Sequence, residues 1–303
     1  MRIAVTGRRG QIARSLVERD SMAGHEIVLV GRPELDLAGD ERSIRHAFDA
    51  VRPDAIVSAA AYTAVDRAES ERDLAFAVNA HGPRAIAQAA SDLDVPLLHL
   101  STDYVFDGTK SEPYVERDPP QPASVYGASK LAGEEAVLET HVNCAVLRTA
   151  WVYSPFGANF AKTMLHLAAD REEVAVVADQ IGNPTSALNL AEGLIRVLEN
   201  LAGSGDPELR GVFHLAASGE ATWADFAEAI FSASAAANGP TARVRRITTA
   251  QYPTPAKRPV NSRLDCSKLE RMHEFRLPNW HVSIASVVSE LVRAPTSMRV
   301  SRA

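Results

Sequence analysis

Several features are scarce in this sequence, and each scarcity excludes a class of protein. Cysteine occurs only twice in 303 residues, at Cys144 and Cys266, which is too few for a disulfide framework and gives no metal-ligand spacing. No apolar run approaches the roughly 20 residues that a transmembrane helix needs, so we expect no membrane partner. The 32 basic residues are outnumbered by 38 acidic ones, and the net charge of -6 argues against a nucleic-acid partner.

We expect no leader, because the first residues show no basic segment followed by an apolar one. Met1 runs directly into an apolar, strand-like segment, which predicts a cytoplasmic location. Apolar residues make up 46% of the chain, enough for a large core. The length fits one large domain, or a nucleotide-binding domain with a smaller partner.

Strand-like and helical patterns alternate through the first half of the chain. Short apolar segments that read as strands occupy residues 2–6, 26–30, 55–59, 96–100 and 144–149. Helical patterns lie between or after them, at residues 11–19, 41–51, 74–92 and 125–141. The alternation predicts an α/β fold with a Rossmann-like, doubly wound parallel sheet covered by helices on both faces.

The pattern loosens after Trp151. Helices are predicted at residues 156–171, 189–200 and 223–237, strands at 174–177 and 211–215, and a proline-rich loop at 251–259. We therefore predict a dinucleotide-binding domain over residues 1–152, to which the chain returns around 178–215. A smaller mixed α/β substrate domain is predicted over residues 153–177 and 216–303, and the residues from about Ala294 onward are expected to fray.

A glycine-rich turn follows the first predicted strand. Gly7 permits a tight turn, Gly10 lets backbone N–H groups approach a pyrophosphate, and the small Ala13 lets the following helix pack on the strand. Phosphates bind well at such a helix N-terminus, because its free N–H groups and its dipole favour anions. The position of this turn between the first strand and the first helix predicts dinucleotide binding.

The end of the second strand bears on the choice of cofactor. An acidic residue there would bind the ribose 2′-OH of NAD, but this sequence has Arg32. Arg32, together with Arg8 or Arg9, could accept a 2′-phosphate, which favours NADPH. The alternative is that these arginines are solvated surface charges and that NADH is used as well.

Tyr126 and Lys130 form the candidate catalytic pair. They are four residues apart at a helix start, so their side chains share one helix face, and a nearby ammonium is expected to lower the pKa of the phenol. Thr102 and Asp103 follow the strand at 96–100, at the sheet edge where ligands bind in open parallel sheets. Thr102 would offer its hydroxyl to the same carbonyl oxygen as Tyr126, although capping of the turn is an alternative role.

Several longer motifs occur in a fixed order. They are GRRGQ (7–11), AAAYTAVDRAE (59–69), STDYVF (101–106), VYGASKLAGE (125–134), LRTAWVY (147–153), NFAKTM (159–164), DQIGNPT (179–185) and RPVNS (258–262). With the early glycine turn and the Tyr-x-x-x-Lys pair, the sequence resembles the extended short-chain dehydrogenases. More narrowly, the motifs resemble the family of dTDP-4-dehydrorhamnose reductases over nearly the whole chain.

The resemblance implies hydride transfer from NADPH to the C4 carbonyl of dTDP-4-dehydro-β-L-rhamnose, the last step of dTDP-L-rhamnose synthesis. Tyr126 would donate the proton, Lys130 would be its partner, and Thr102 would tune the proton transfer. The cofactor-contacting positions implied by the family, by the glycine turn or by the end of the second strand are Gly7, Gly10, Gln11, Ile12, Arg32, Asp36, Leu37, Ala61, Tyr62, Thr63, Leu100, Tyr126 and Lys130.

The family positions that contact the sugar match Thr102, Asp103 and Trp151, whose indole suits the apolar edge of a 6-deoxysugar. Arg258 is assigned to the diphosphate on its charge, with an exposed surface arginine as the alternative. Some members of the family dimerise through magnesium bound by carboxylates, but Ser15 and Leu188 stand near those positions here. We therefore expect no metal, and either a monomer or a homodimer.

Two other functions stay open at this point. A nucleotide-sugar epimerase or dehydratase of the extended family would share the glycine turn, and Asp103 beside Thr102 does not exclude a dehydratase. A non-catalytic relative, like the regulatory subunit of methionine adenosyltransferase, would use the same fold for binding. The intact set of Thr102, Tyr126 and Lys130 favours catalysis.

Overall fold

The computed structural model describes residues 1–293, so the fraying expected from Ala294 lies outside the described residues. The strands are β1 (Arg2–Thr6), β2 (Glu26–Val30), β3 (Ala55–Ser58), β4 (Leu97–Thr102), β5 (Cys144–Thr149), β6 (Val152–Tyr153), β7 (Glu173–Val177), β8 (Ile181–Gly182), β9 (Thr185–Ser186), β10 (Gly211–His214), β11 (Ala221–Thr222) and β12 (Arg243–Ile247). The α-helices are α1 (Gln11–Ala23), α2 (Glu41–Val51), α3 (Val65–Ala68), α4 (Arg72–Phe76), α5 (Gly82–Asp92), α6 (Val125–Thr140), α7 (Phe160–Asp170), α8 (Ala187–Gly203), α9 (Trp223–Ala236), α10 (Ser267–His273) and α11 (Trp280–Arg293). A π-helical turn, Ala77–His81, joins α4 to α5, and 3-10 turns occur at Asp103–Val105, Pro207–Leu209 and Thr249–Gln251.

Six strands form one parallel sheet in the order β10-β5-β4-β3-β1-β2. After β2 the chain crosses to the other side of β1 to form β3, so the strand order reverses beside β1. In open α/β sheets ligands bind in the crevice at such a reversal, outside the carboxyl ends of the strands. The predicted doubly wound parallel sheet is confirmed.

The sheet has a hydrophobic core on each face. Along β1, Ile3 and Val5 belong to one core and Ala4 belongs to the other, because successive strand residues point to opposite faces. Helices α1 and α8 pack together on the first face, while α2, α5 and α6 pack on the second. Every residue of β4 and β5 is buried, as expected of strands that are covered on both sides.

Except for β10, the strands after Trp151 form separate two-stranded sheets: β7 pairs with β12, β8 with β11 and β6 with β9. Helix α9 packs on α7 and α11, which gives this part a helical core. The predicted boundaries between a dinucleotide domain and a substrate domain stay a prediction.

Three local predictions differ from the structure in their bounds or regularity. The single helix expected at 74–92 is divided by the π-helical turn, in which the buried Asn79 side chain bonds to the backbone of Tyr62 and to Ser129. The helix expected from residue 156 begins at Phe160, because Asn159 caps it by accepting from the Lys162 N–H. Strand β4 continues beyond residue 100 and includes Thr102.

Candidate active site

A cavity of about 1460 Å³ lies at the carboxyl ends of β1, β3 and β4. It brings together most of the predicted site residues: Gly7, Gly10, Gln11, Ile12, Ala61, Thr63, Leu100, Thr102, Asp103, Tyr126, Lys130, Trp151 and Arg258. These residues come from segments spread over most of the chain, so the sheet reversal and the second part of the chain together form the site.

Four of the predicted cofactor residues do not line the cavity. Arg32 is exposed, Asp36 is partly exposed, and the two form an ion pair of 3.2 Å. Leu37 is buried in the core beneath α2, and the Tyr62 hydroxyl donates to Glu71 at 2.6 Å. The roles proposed for these four in binding the cofactor stay predictions.

The glycine turn has the shape that a dinucleotide requires. Gly7 has a φ of +94°, in the left-handed region that favours glycine, and its N–H donates to the Val30 carbonyl at 2.7 Å. A Cβ at Gly10 would meet nothing within 4 Å, so the backbone there is open to the cavity. The first N–H groups of α1 have no partner within the helix and suit a pyrophosphate. These residues therefore fit a dinucleotide.

Gln11 also connects the glycine turn to the second part of the chain. Its Nε2 donates to the Val152 carbonyl at 3.2 Å, and its Oε1 accepts from the Ser154 hydroxyl at 2.8 Å. A Cβ at Gly157 would lie 3.2 Å from the Gln11 side chain, so this loop packs closely on the turn. Ser154 and Gly157 were missed by sequence reasoning, because their partner is more than 140 residues away.

Tyr126 lies in the first turn of α6, which Ser124 caps by accepting from the Gly127 N–H. Gly127 has no room for a side chain, because a Cβ would lie 2.1 Å from the Tyr104 carbonyl oxygen. The start of α6 is thereby held against the end of β4, and the Tyr104 and Tyr126 rings meet edge to face at 5.7 Å. The helix start thus delivers the phenol next to Thr102.

The pKa of Tyr126 shifts in the opposite direction to the expectation. Burial raises it to about 12, while a hydrogen bond with the Thr102 hydroxyl lowers it in part. The expected lowering by Lys130 is not seen, since the Lys130 ammonium donates to the Leu100 carbonyl at 2.7 Å. At neutral pH Tyr126 is therefore a protonated phenol, the form that can give a proton.

Lys130 is 3% exposed, and burial lowers its pKa to about 8. The nearby Glu134 carboxylate opposes that shift, and Glu134 is itself held by Arg148 at 2.6 Å and by the Ser101 hydroxyl. Both members of the Glu134–Arg148 ion pair are buried, which makes the pair sensitive to loss of either partner. Ser101 is therefore part of this buried network, because its hydroxyl donates to Glu134.

Asp103 and Trp151 meet through Ser262. Burial raises the pKa of Asp103 to about 7, and hydrogen bonds from the Thr102 and Ser262 hydroxyls lower it in part. The Trp151 indole N–H donates to the Ser262 Oγ at 3.1 Å, and its ring stacks on Trp223 with centroids 3.5 Å apart. Trp151 has a φ of +47°, an uncommon conformation for a bulky residue and one that clusters at functional sites.

Arg258 is partly buried and pairs with Asp66. Its two terminal nitrogens donate to the two Asp66 oxygens at 3.1 and 2.8 Å, and the Ala256 N–H donates to the same carboxylate at 3.2 Å. The pair joins the segment after β3 to the proline-rich segment 251–259. The two residues are 192 positions apart, and sequence reasoning did not connect them.

Trp223 and Ser262 also line or support the site, and sequence reasoning missed both. Trp223 opens an amphipathic helix, where an aromatic residue is usually read as core, and Ser262 lies in a motif with no catalytic signature. Within residues 1–293 no cluster of three or more His, Cys, Asp or Glu side chains could hold a metal ion. Among the same residues no helix has both the length and the apolar character to cross a membrane.

Comparison with known proteins gives the family. A family model described as the RmlD substrate binding domain matches residues 1–293. The dTDP-4-dehydrorhamnose reductase of Sinorhizobium fredii is 51% identical over 292 residues, which cover 96% of this chain and 98% of that protein. The crystal structure of a dTDP-4-dehydrorhamnose reductase from Clostridium acetobutylicum has a TM-score of 0.89 at 34% identity, covering 96% of this chain and 99% of that one.

The dTDP-4-dehydrorhamnose reductase of Bacillus anthracis, solved in complex with NADP, has a TM-score of 0.87 at 35% identity, covering 94% of this chain and 98% of that one. The matches extend over both the sheet and the part of the chain that follows Trp151. On the strength of these matches, the chain belongs to the dTDP-4-dehydrorhamnose reductase family.

Proposed function

We propose that the protein reduces the C4 carbonyl of dTDP-4-dehydro-β-L-rhamnose to give dTDP-L-rhamnose, with NADPH as the hydride donor and NADH as a second donor. The observation that carries the proposal is the convergence of the glycine turn, Thr102, Tyr126 and Trp151 on one cavity. The family of the chain supports this reaction over the epimerase, dehydratase and regulatory alternatives.

Different residues would bind the cofactor and transfer the proton. The open backbone at Gly7 and Gly10 and the first N–H groups of α1 would hold the pyrophosphate, and Lys130 would hold the ribose near the nicotinamide. The dinucleotide, when bound, supplies the hydride. Tyr126 gives its proton to the C4 oxygen of the sugar, and Thr102 hydrogen-bonds the same phenol and orients it.

The substrate would lie against the second part of the chain. Trp151 offers an indole to the sugar, Asp103 faces its hydroxyl groups, and Arg258 supplies positive charge for the diphosphate. The Asp66 carboxylate fixes the direction of the Arg258 guanidinium. We place the reaction in the cytoplasm, carried out by a monomer or a homodimer.

The test is a reductase assay on the purified protein. Consumption of NADPH with stoichiometric formation of dTDP-L-rhamnose from the 4-keto sugar nucleotide is the expected result. A parallel assay with NADH measures the preference between the cofactors. Formation of an isomer without net oxidation of NADPH would instead identify an epimerase, and binding without any turnover would identify a regulatory protein.

A further inference from the structure

The segment that follows β2 takes part in two arginine–carboxylate pairs. The Arg8 Nη2 lies 2.6 Å from the Glu34 Oε2, and the Arg32 guanidinium lies 3.2 Å from the Asp36 carboxylate. Arg8 belongs to the glycine turn, and the other three residues come directly after β2. Two of the three arginines that the sequence offers to a 2′-phosphate are therefore already paired with a carboxylate.

The local fold holds the Arg8–Glu34 pair from both sides. The Arg8 side chain packs over Gly31, because a Cβ at Gly31 would lie 3.1 Å from the Arg8 Cγ. The Leu35 N–H donates to the Gly31 carbonyl at 3.2 Å, and this bond closes a turn that carries Glu34. Leu35 is buried, which anchors the turn and leaves the neighbouring Glu34 outside, beside the guanidinium. The backbone of the turn therefore builds the pair.

The place of this pair in the fold bears on the cofactor. In Rossmann-like sheets the residues at the end of the second strand meet the adenosine ribose of the dinucleotide. NADPH carries a phosphate at the 2′ position of that ribose, with a charge of about −1.5 to −2, where NADH has a neutral hydroxyl. A phosphate there needs an arginine, whereas a hydroxyl does not. A carboxylate that holds the arginine therefore opposes the binding of only one of the two cofactors.

We propose that Glu34 sets the preference between NADPH and NADH by competing with the 2′-phosphate for Arg8. The inference rests on the proposed function, in which both dinucleotides are hydride donors. When NADPH binds, the Arg8 guanidinium exchanges the Glu34 carboxylate for the phosphate. When NADH binds, the Arg8–Glu34 pair stays intact. Glu34 thus acts through Arg8 and determines specificity without taking part in the chemistry.

The exposure of the pair limits the size of this effect. The Arg8 and Glu34 side chains are 47% and 57% exposed. An ion pair that is so exposed changes an equilibrium constant by at most about fivefold. A phosphate has more charge than a carboxylate and three acceptor oxygens, so it can displace Glu34 from Arg8. Glu34 therefore weakens the binding of NADPH without preventing it, and both cofactors are accepted.

The second pair is less suitable for a test. The Asp36 carboxylate bonds to Arg32, but it also accepts from the Ala38 N–H at 3.1 Å, and Asp36 is itself a predicted cofactor contact. A change at Asp36 would alter the turn and the competition at the same time. The Arg8–Glu34 pair separates the two.

Glu34→Gln tests the competition by binding alone. Calorimetric titration of the purified protein with NADPH and with NADH gives both Kd values in the absence of the sugar nucleotide. The variant frees Arg8, so the Kd for NADPH should fall about three- to fivefold, while the Kd for NADH should stay within about twofold of the original. The matched control is Glu26→Gln, whose carboxylate pairs with Arg2 at 2.8 Å at the opposite end of β2; it should change neither value.

Arg8→Gln distinguishes competition for the arginine from simple repulsion of the phosphate by Glu34. By itself it should raise the Kd for NADPH about tenfold and leave the Kd for NADH nearly unchanged. When Glu34→Gln is added to Arg8→Gln, the Kd for NADPH should change by less than about twofold, because no guanidinium remains to be freed. A gain of about three- to fivefold in that double variant would overturn the competition.

Two other results would also overturn it. One is a ratio of the two Kd values that Glu34→Gln leaves unchanged, and the other is an equal gain for both dinucleotides. Melting temperatures of all variants should match that of the unchanged protein, since both side chains are largely exposed. If the protein binds both dinucleotides but does not reduce the sugar nucleotide, the proposed reaction fails, and the Kd values still decide the role of Glu34.

Discussion

The two sides of the cavity are built in different ways. On one side, β1, β3 and β4 are neighbouring parallel strands of four to six residues, and the glycine turn presents backbone groups at a helix N-terminus. On the other side, two-residue strands such as β6 and β9 alternate with loops, and side chains such as Trp151 and Arg258 line the cavity. Under the proposed function, regular backbone geometry would bind a cofactor common to many enzymes, and side chains would bind the sugar nucleotide.

We expect the largest effect from a change at Tyr126, which lies where the two sides of the cavity meet. Tyr126→Phe removes the proton donor but keeps the ring, so we expect kcat to fall by about 10²–10⁴-fold. The affinity for NADPH, measured by fluorescence titration, should be close to that of the unchanged protein. Activity within about twofold of normal would show that Tyr126 is not the proton donor.

Lys130→Met should weaken both cofactor binding and rate. The side chain keeps its length but loses the ammonium that donates to Leu100 and that would hold the ribose. We expect a loss on the order of 10²-fold in kcat/KM, accompanied by a raised Kd for NADPH. If only the rate changes and NADPH binding is intact, Lys130 serves the chemistry alone.

A matched pair of glycine variants separates the two sides. Gly7→Ala places a side chain at a φ of +94°, which strains the phosphate turn by about 1–3 kcal/mol, so the Kd for NADPH should rise about tenfold. Gly182→Ala would put a Cβ 2.5 Å from the Trp151 ring, which must shift, so KM for the sugar nucleotide should rise instead. Steady-state kinetics with each substrate varied in turn give both values. Equal effects on both substrates in either variant would contradict the division.

The smallest expected effect is on stability. Hydrogen bonds from Arg258 hold the pKa of Asp66 below its usual value, so the pair stabilises the fold above the unfolded pKa of about 4 and loses that contribution as pH falls. Because both side chains are partly exposed, Asp66→Asn should cost less than about 1 kcal/mol of unfolding free energy at neutral pH. Denaturant titrations at about pH 7 and pH 3 should show that difference shrink at the lower pH.

The contrast between the regular sheet and the loop-rich part after Trp151 also explains which features can be predicted from the sequence. Strands β1 to β5, the glycine turn and the Tyr126–Lys130 spacing depend on neighbours within a few residues, and local periodicity reveals them. Strand β12 was missed because three of its five residues are arginines, which do not read as a strand pattern. Helices α10 and α11 were missed as well. The pairing of Asp66 with Arg258 spans 192 residues, and local patterns carry no information about it.

The pKa of Tyr126 is raised where the sequence predicted a lowering, and this error also comes from contacts that local patterns do not show. The spacing of Tyr126 and Lys130 shows that they share a helix face, but it says nothing about how deeply the phenol is buried or where the ammonium points. Desolvation and the Leu100 carbonyl decide those two matters, and both depend on how α6 packs on β4. The choice of residues was therefore predictable, whereas their protonation was not.

The position of β10 has a consequence for dissection of the protein. This strand, Gly211–His214, is the last of the central sheet in sequence, and it covers the outer edge of β5. A chain cut after residue 152 would leave the backbone N–H and C=O groups of that fully buried edge unpaired, which invites pairing between copies. We therefore expect the two sides of the cavity to fold and unfold as one unit, and neither side to be stable when it is expressed alone.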